Sequence, residues 1–256
     1  MLVEVVDSYE LMSQRAAEIV AEQVHRKPNS VIGFATGGTP KGLYQHLIRE
    51  HDERGLDFSK ITTFNLDEYV GLPPKHEQSY HHYMWENLFN HINVSESRVH
   101  IPHGMADDID HFCAWYERQI EEAGGIDLQI LGIGANGHLA FNEPGSSLGS
   151  RTRIKTLTEK TVRDNARYFD DEDMVPEYAI TMGIGTIMEA KKLLLVANGE
   201  KKAQAIRNTL EGPVTAMCPA TIVQLHRQAH VVIDKEAASV LDYYHHHGIA
   251  EPKDQR

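Results

Sequence analysis

Cysteine is nearly absent from this 256-residue chain. Cys113 and Cys218 lie too far apart to suggest a zinc cluster, and two thiols make no disulfide framework, so a reducing compartment is expected. Basic side chains are scarce as well. With 25 Lys and Arg against 37 Asp and Glu, the formal net charge of -12 disfavours nucleic acid or an anionic membrane surface as a partner. A small phosphate remains admissible, because a local nest of amides and one or two basic side chains is enough to hold it. Missing too is any apolar run of membrane-spanning length. The opening stretch, MLVEVVDSYELMSQRAAEIV, has acidic residues early and no basic region ahead of an apolar core, which argues against a signal peptide and for a cytoplasmic protein. No repeat, low-complexity tract or linker divides the chain, so residues 1–256 read as a single domain. Sixteen histidines raise the question of a metal, but His81-His82 and His245-His246-His247 have no carboxylate or cysteine at ligand spacing. Solvated surface, and no metal, is the expectation for both groups.

What is present is organised around DLQILGIGANGHLAFNEPG, from Asp127 to Gly145. Leu128 to Ile133 form a short apolar run bounded by turn residues, the pattern of a parallel strand buried on both faces. Gly132, Gly134 and Gly137 follow where such a strand ends, and ligands in open α/β sheets bind just outside those carboxyl ends. Asn136, His138, Asn142 and Glu143 occupy that position. An imidazole, a carboxylate and two amides within eight residues are costly to place there for packing alone, so the stretch reads as an active-site loop. The glycine spacing matches a dinucleotide fingerprint, which requires a helix to begin inside it. Here Pro144 and Gly145 intervene, and RIKTL from Arg153 arrives too soon for a crossover helix.

The remaining segments alternate strand and helix. VEVV from Val3 and SVIGFA from Ser30 read as strands, separated by an amphipathic helix from Tyr9 to about His25 that Asp7 or Ser8 can cap. After the second strand, Thr36-Gly37-Gly38-Thr39 makes a tight turn, with Thr39 as N-cap and Pro40 at the first helical position. Amides of such a turn and the positive end of the helix together can make a phosphate cradle, although the Walker GK[ST] is absent and a plain strand-to-helix turn with convenient capping fits the same residues. Ile61 to Phe64 form a third strand whose exit loop holds Asp67 and Glu68, framed by Leu66, Tyr69 and Val70; a half-buried carboxylate there is a candidate general base. Helices are expected from Ser79 and Asp107. Beyond the central loop come a basic strand with Arg151, Arg153 and Lys155, a helix to Arg167, and an acidic loop from Asp170 to Asp173. Residues approximately 158–176 suggest a mobile lid. YAITMGIGTIMEA, KKLLLVANGEKKAQAIRNTLEG and HVVID complete the alternation. Lys201 and Lys202 open a helix, an unfavourable place for cations unless an anion sits beside them. The fold expected is α/β, a three-layer sandwich with a mostly parallel, Rossmann-like central sheet.

Taken together, ATGGTP, TTFNLDEYVGLP, LGIGANGHLAFNEPGSSLGSRTRIKTL, YAITMGIGTIM and the GEKKA turn resemble the glucosamine-6-phosphate deaminase family, also called glucosamine-6-phosphate isomerase. The resemblance runs over nearly the whole chain in the family's order. It implies conversion of glucosamine 6-phosphate and water to fructose 6-phosphate and ammonia in amino-sugar (N-acetylglucosamine) catabolism, with no metal and no redox cofactor. It places the enolization base on Asp67, the ring-opening group on Asn136, His138 and Glu143, and phosphate ligands on Gly38, Thr39, Arg167 and Lys202. Some members of the family have Asp at the position of Asn136; an amide can still fix the imidazole tautomer, but adds no charge. Hexameric members are activated by N-acetylglucosamine 6-phosphate, and Ser146, Arg153 and Lys155 match the positions used there, which raises allostery and a homo-oligomer as expectations. Two rivals stand beside this reading. One is a sugar-phosphate lactonase of related fold, which would need no base at Asp67. The other is a non-catalytic sugar-phosphate sensor, which would call for a DNA-binding helix-turn-helix and a basic face that this acidic chain lacks.

Overall fold

In the central strands successive side chains point to opposite faces, and both faces are apolar. Val31 to Phe34 (β2), Leu128 to Leu131 (β6) and Leu193 to Ala197 (β9) are buried throughout. The computed structural model describes residues 1–158 and 175–242. The expected lid therefore falls almost wholly outside the described residues, as do the helix to Arg167, the Asp170 to Asp173 loop and His245-His246-His247.

Leu2–Val6 (β1), Thr62–Asn65 (β3), Val99–His100 (β5) and Ala229–Asp234 (β10) join those three in a seven-stranded sheet of order β1-β10-β9-β6-β2-β3-β5. Every pairing in it is parallel. Tyr9–Arg26 (α1) and Pro40–Arg54 (α2) pack on one face with Tyr80–Asn87 (α3), where Met12, Val20, Leu43 and Met84 meet Ile32, Phe34, Ile130 and Val196. On the other face, Tyr116 and Ile120 of Ile109–Glu122 (α4), Ile184 and Ile187 of Ile184–Met188 (α5), and Ile206 of Ala203–Glu211 (α6) cover Val31, Leu131, Leu195 and Ile233. This is the expected three-layer sandwich. Caps explain several helix starts: Ser8 accepts from the Leu11 amide, Ser79 from His82 and Asp108 from His111.

Two expectations need correction. The segment after β3 is not a loop, because Asp67–Tyr69 form a strand (β4) in a second, antiparallel sheet with Tyr178–Thr181 (β8) and Arg153–Thr156 (β7), in the order β4-β8-β7. The YAIT strand and the basic strand accordingly leave the central alternation. Short strands are marginal alone, and these three become stable by burying Tyr69, Leu72, Phe141, Leu157 and Ala179 against one another. His81 and His82, read as solvated surface, are half-buried on α3. No helix among the described residues is long and apolar enough to cross a membrane.

Opposite the carboxyl ends, Asp127 ties the sheet's amino edge together. Its carboxylate, 5% exposed, accepts from Lys27 at 2.6 Å, Lys191 at 2.8 Å and the Val31 amide at 2.8 Å. Burial pushes this carboxyl up, and the hydrogen bonds from Lys191, Lys27 and Val31 more than reverse that, leaving it below the ordinary range. A depressed carboxylate stabilises the fold above its unfolded pKa, and the contribution is lost as pH falls through the folded value. Asp127→Ala should therefore cost about 2 kcal/mol at neutral pH in urea unfolding, with both lysines half in water. The deficit should shrink toward zero in strong acid; a deficit independent of pH would contradict this account.

Candidate active site

Four adjacent strands, β9, β6, β2 and β3, deliver their carboxyl ends to one rim. The chain builds outward from β2 through β3 to β5 and then returns to β6 on the other side of β2, and a crevice forms above such a reversal. The segments leaving this rim hold Gly38, Thr39, Asp67, Asn136, His138, Glu143, Ser146 and Lys202. Arg167 lies outside the described residues.

The turn after β2 is fixed by two tyrosines that the sequence reading did not single out. Tyr83 donates to the Gly37 carbonyl at 2.6 Å. The Tyr9 hydroxyl sits 3.3 and 3.1 Å from the Gly38 and Thr39 carbonyls and accepts from the Gly42 amide at 2.8 Å. Thr39 stands at the expected N-cap position without acting as a cap. Its backbone is already helical, with φ -63 and ψ -46, and its side chain makes no capping bond. The hydroxyl donates instead to Asn198 Oδ1 at 2.7 Å, which joins the exits of β2 and β9. Just beyond Asn198, Gly199 takes φ +82 and its amide donates to Asp234, so the chain turns into Glu200–Lys202. Gly38, Thr39 and Lys202 thus come from two loops joined by the Thr39–Asn198 hydrogen bond.

Asp67 opens β4 and is 6% exposed, more deeply buried than the half-buried carboxylate expected. Burial first, and the neighbouring Glu68 charge second, push its carboxyl up to about 8. On β4 it stands in register with Thr181 of β8, and the Thr181 hydroxyl accepts from the Phe141 amide at 3.2 Å. Phe141 belongs to the loop that holds His138, so one threonine stitches the carboxylate strand to the imidazole loop. Asn142 adds a second stitch by donating to the Met182 carbonyl at 2.7 Å. Tyr80 closes the group. Its ring stacks on Phe141 at 5.9 Å and lies 5.0 Å from Tyr69, while its hydroxyl is within reach of Thr36 and Tyr69 and feels the charge of Asp67. No sequence pattern marks Tyr80, which looks like any aromatic on a short helix.

In the loop after β6, Asn136 stands between imidazole and carboxylate. Its Nδ2 donates to Glu143 Oε2 at 2.8 Å, and its Oδ1 is 2.7 Å from His138 Nδ1. Glu143 Oε2 is itself 3.8 Å from the same ring nitrogen. A carboxylate accepts only, so it orients the amide with its oxygen toward the ring; that oxygen in turn requires a proton on Nδ1. Nε2 is then the acceptor of the neutral ring. Asn136 Oδ1 also accepts from the His138 amide at 3.2 Å, and Gly134 donates to the His138 carbonyl at 3.0 Å.

A family model described as glucosamine-6-phosphate isomerases/6-phosphogluconolactonase matches residues 7–233. The chain belongs to that family. A glucosamine-6-phosphate deaminase of Alkaliphilus oremlandii is 55% identical over 241 residues, covering 94% of this chain and all of the relative. One from Thermoanaerobacter sp. (strain X514) is 54% identical over 234 residues, 91% of this chain and 92% of the relative. The solved structure of a monomeric glucosamine-6-phosphate deaminase superposes with a TM-score of 0.92 at 49% identity, covering 94% of this chain and all of that one.

The three residues matched to an effector site do not share one segment. Ser146 is buried at the end of the imidazole loop. Arg153 and Lys155 are partly exposed and share one face of β7, with Arg153 3.2 Å from the Arg151 carbonyl.

Gly134 gives this site a mechanical test. A Cβ there would lie 2.2 to 2.4 Å from three atoms of the His138 ring, so only glycine lets the ring lie down on the loop. Gly134→Ala should displace the imidazole, changing its ring resonances in an NMR spectrum whose other signals persist, and turnover should drop on the order of 100-fold. Unchanged ring resonances would show that the ring does not depend on this gap.

Proposed function

We propose that this protein converts glucosamine 6-phosphate and water to fructose 6-phosphate and ammonia, the activity named for its relatives at 54% and 55% identity. The observation that bears most weight is the pairing of a buried, dry carboxylate at Asp67 with a tautomer-fixed imidazole at His138 through Thr181. Two proton transfers at neighbouring positions of one small sugar need a proton-carrying group for each.

The turn at Gly38 and Thr39, with Lys202, receives the phosphate and sets the register of the hexose. His138 Nε2 takes the anomeric hydroxyl proton and returns a proton to the ring oxygen, which opens the ring. Glu143 stabilises the transient imidazolium from 3.8 Å, and Asn136 holds the ring plane. Asp67 then removes the proton from the second carbon while one proton of the 2-ammonium passes to the carbonyl oxygen, giving an enol-amine, and Asp67 returns its proton to the first carbon. The resulting iminium at the second carbon adds water and expels ammonia, leaving the ketone. Arg167 is part of the same proposal as a further phosphate ligand. Ser146, Arg153 and Lys155 are proposed as an effector site for a second sugar phosphate.

Asp67→Asn should lower ammonia release by at least about 1000-fold, as befits a missing proton shuttle, with sugar-phosphate affinity changed by less than about 10-fold. Linked assays of ammonia and fructose 6-phosphate decide it, and a variant with near-normal turnover would refute the role. Because the base must be ionised and its carboxyl is pushed up to about 8, kcat/KM should fall as pH drops below that value. An acid limb near the ordinary carboxylate range, about 4, would place the base elsewhere.

A further inference from the structure

Glu68 is a buried carboxylate that the reaction as described does not use. It is 2% exposed and follows Asp67 directly on β4, so the two side chains leave the strand on opposite faces. Its face meets the start of α3. Glu68 Oε1 accepts from the Tyr69 amide at 2.8 Å and the Tyr80 amide at 2.9 Å, and Oε2 accepts from His81 at 2.8 Å. The Ser79 hydroxyl accepts the next amide, His82, at 3.0 Å. Glu68 therefore takes the first two amides of the helix and ties Tyr80, whose ring stacks on Phe141, to the strand that bears Asp67.

Three amide donors converging on two oxygens suit an acceptor-only, ionised carboxylate, and the helix start favours that charge. The faces of Asp67 present a different inventory. Among the described residues, the phenols of Tyr80 on α3 and Tyr116 on α4, both neutral, feel its charge. Tyr116 is committed elsewhere, donating to the Asn65 carbonyl at 2.8 Å. Two adjacent buried carboxylates do not both stay charged without a cation, so one proton is retained by the pair. The amides hold Glu68 in the ionised form, and the proton falls to Asp67.

We propose that Glu68 is a positioning residue that keeps Asp67 protonated in the empty site, so that a sugar bearing a 2-ammonium group arms its own base by displacing that proton. The idea rests on the deaminase reading above and deepens it. On binding, the ammonium supplies the missing positive charge, the Asp67 O–H bond breaks, its proton passes to solvent, and the ammonium stays intact beside the new carboxylate. A sugar with a neutral 2-hydroxyl brings no such charge and leaves the proton in place. Selection for an amino sugar and activation of the base become one event. Burial pushes both carboxyls up, to about 8 for Asp67 and about 7 for Glu68, and the lower of the two belongs to the residue that accepts three amides.

Calorimetric titration in buffers of different ionisation enthalpy reads the proton directly. The two probes are 2-amino-2-deoxyglucitol 6-phosphate and glucitol 6-phosphate, open-chain analogues that cannot isomerise; the second controls for protons exchanged by the phosphate and His138. At pH 7 the amino compound should release close to one proton per site more than the hydroxyl compound. Glu68→Gln should cut that difference to less than about half and move the acid limb of kcat/KM toward lower pH, because Asp67 then ionises without a charged neighbour. Wild-type protein releasing equal numbers of protons with both analogues overturns the proposal without any variant being needed, as does a folded Glu68→Gln protein that keeps the full difference. Absence of both analogue binding and ammonia release in wild-type protein would instead overturn the deaminase reading itself.

Discussion

A carboxyl group sealed from water is the most demanding object in this fold, and the architecture around Asp67 follows from the need to keep it there. Charge in a dry interior costs several kcal/mol unless something compensates, so the surroundings must be rigid enough to deny both water and an adventitious cation. The small antiparallel sheet meets that need. It lays β8 alongside β4, covers the strand with Tyr69, Tyr80 and Phe141, and leaves the carboxyl no direction in which to escape. Without that second sheet, the exit of β3 would be an ordinary surface loop and Asp67 an ordinary solvated acid.

The same constraint explains how the loops are tethered. Each segment at the rim is fastened to another by a contact that does not itself belong to the chemistry: Thr39 to Asn198, Phe141 to Thr181, Asn142 to Met182, Tyr83 to Gly37. Loops normally give up such order for mobility, and here the geometry of proton transfer is bought with cross-ties between exits of neighbouring strands. At the opposite edge of the sheet, Asp127 gathers Lys27, Lys191 and the Val31 amide.

Much of this was legible in the sequence, and the parts that were not share a cause. Apolar runs such as LQIL and LLLVA, read with their flanking glycines, place the central strands, and a polar cluster at a strand exit marks His138 and its neighbours. Local signals suffice there because burial on two faces and the start of a turn are both local properties. β4 is different. DEY has two strand-disfavouring acids in three residues and only Tyr69 to favour a strand; it becomes one because β8, more than a hundred residues later, supplies its partner. Thr39 misled for the same reason: its type and its place before Pro40 both suit a cap, but a tertiary acceptor at Asn198 outcompetes the local amide. Tyr9, Tyr80 and Tyr83 carry no local mark, since only the packing of α1 and α3 beside the turn gives their hydroxyls a task.

The amide at position 136 completes the electrostatic picture. A carboxylate in that place would sit against Nδ1 and favour a charged imidazolium at rest, adding a second negative group to a rim that already confines Asp67 and Glu68. Asn136 instead passes the orienting influence of Glu143 to the ring as a neutral dipole, 2.8 Å on one side and 2.7 Å on the other, with the carboxylate itself held back at 3.8 Å. The ring is thereby fixed in one tautomer without being obliged to take a proton. Nε2 is therefore the acceptor of the neutral ring, and opening and closing a sugar ring needs a group that takes a proton from a hydroxyl and returns one. The amide thus adds no charge of its own to a rim where the substrate brings a phosphate at one end and an amine at the other.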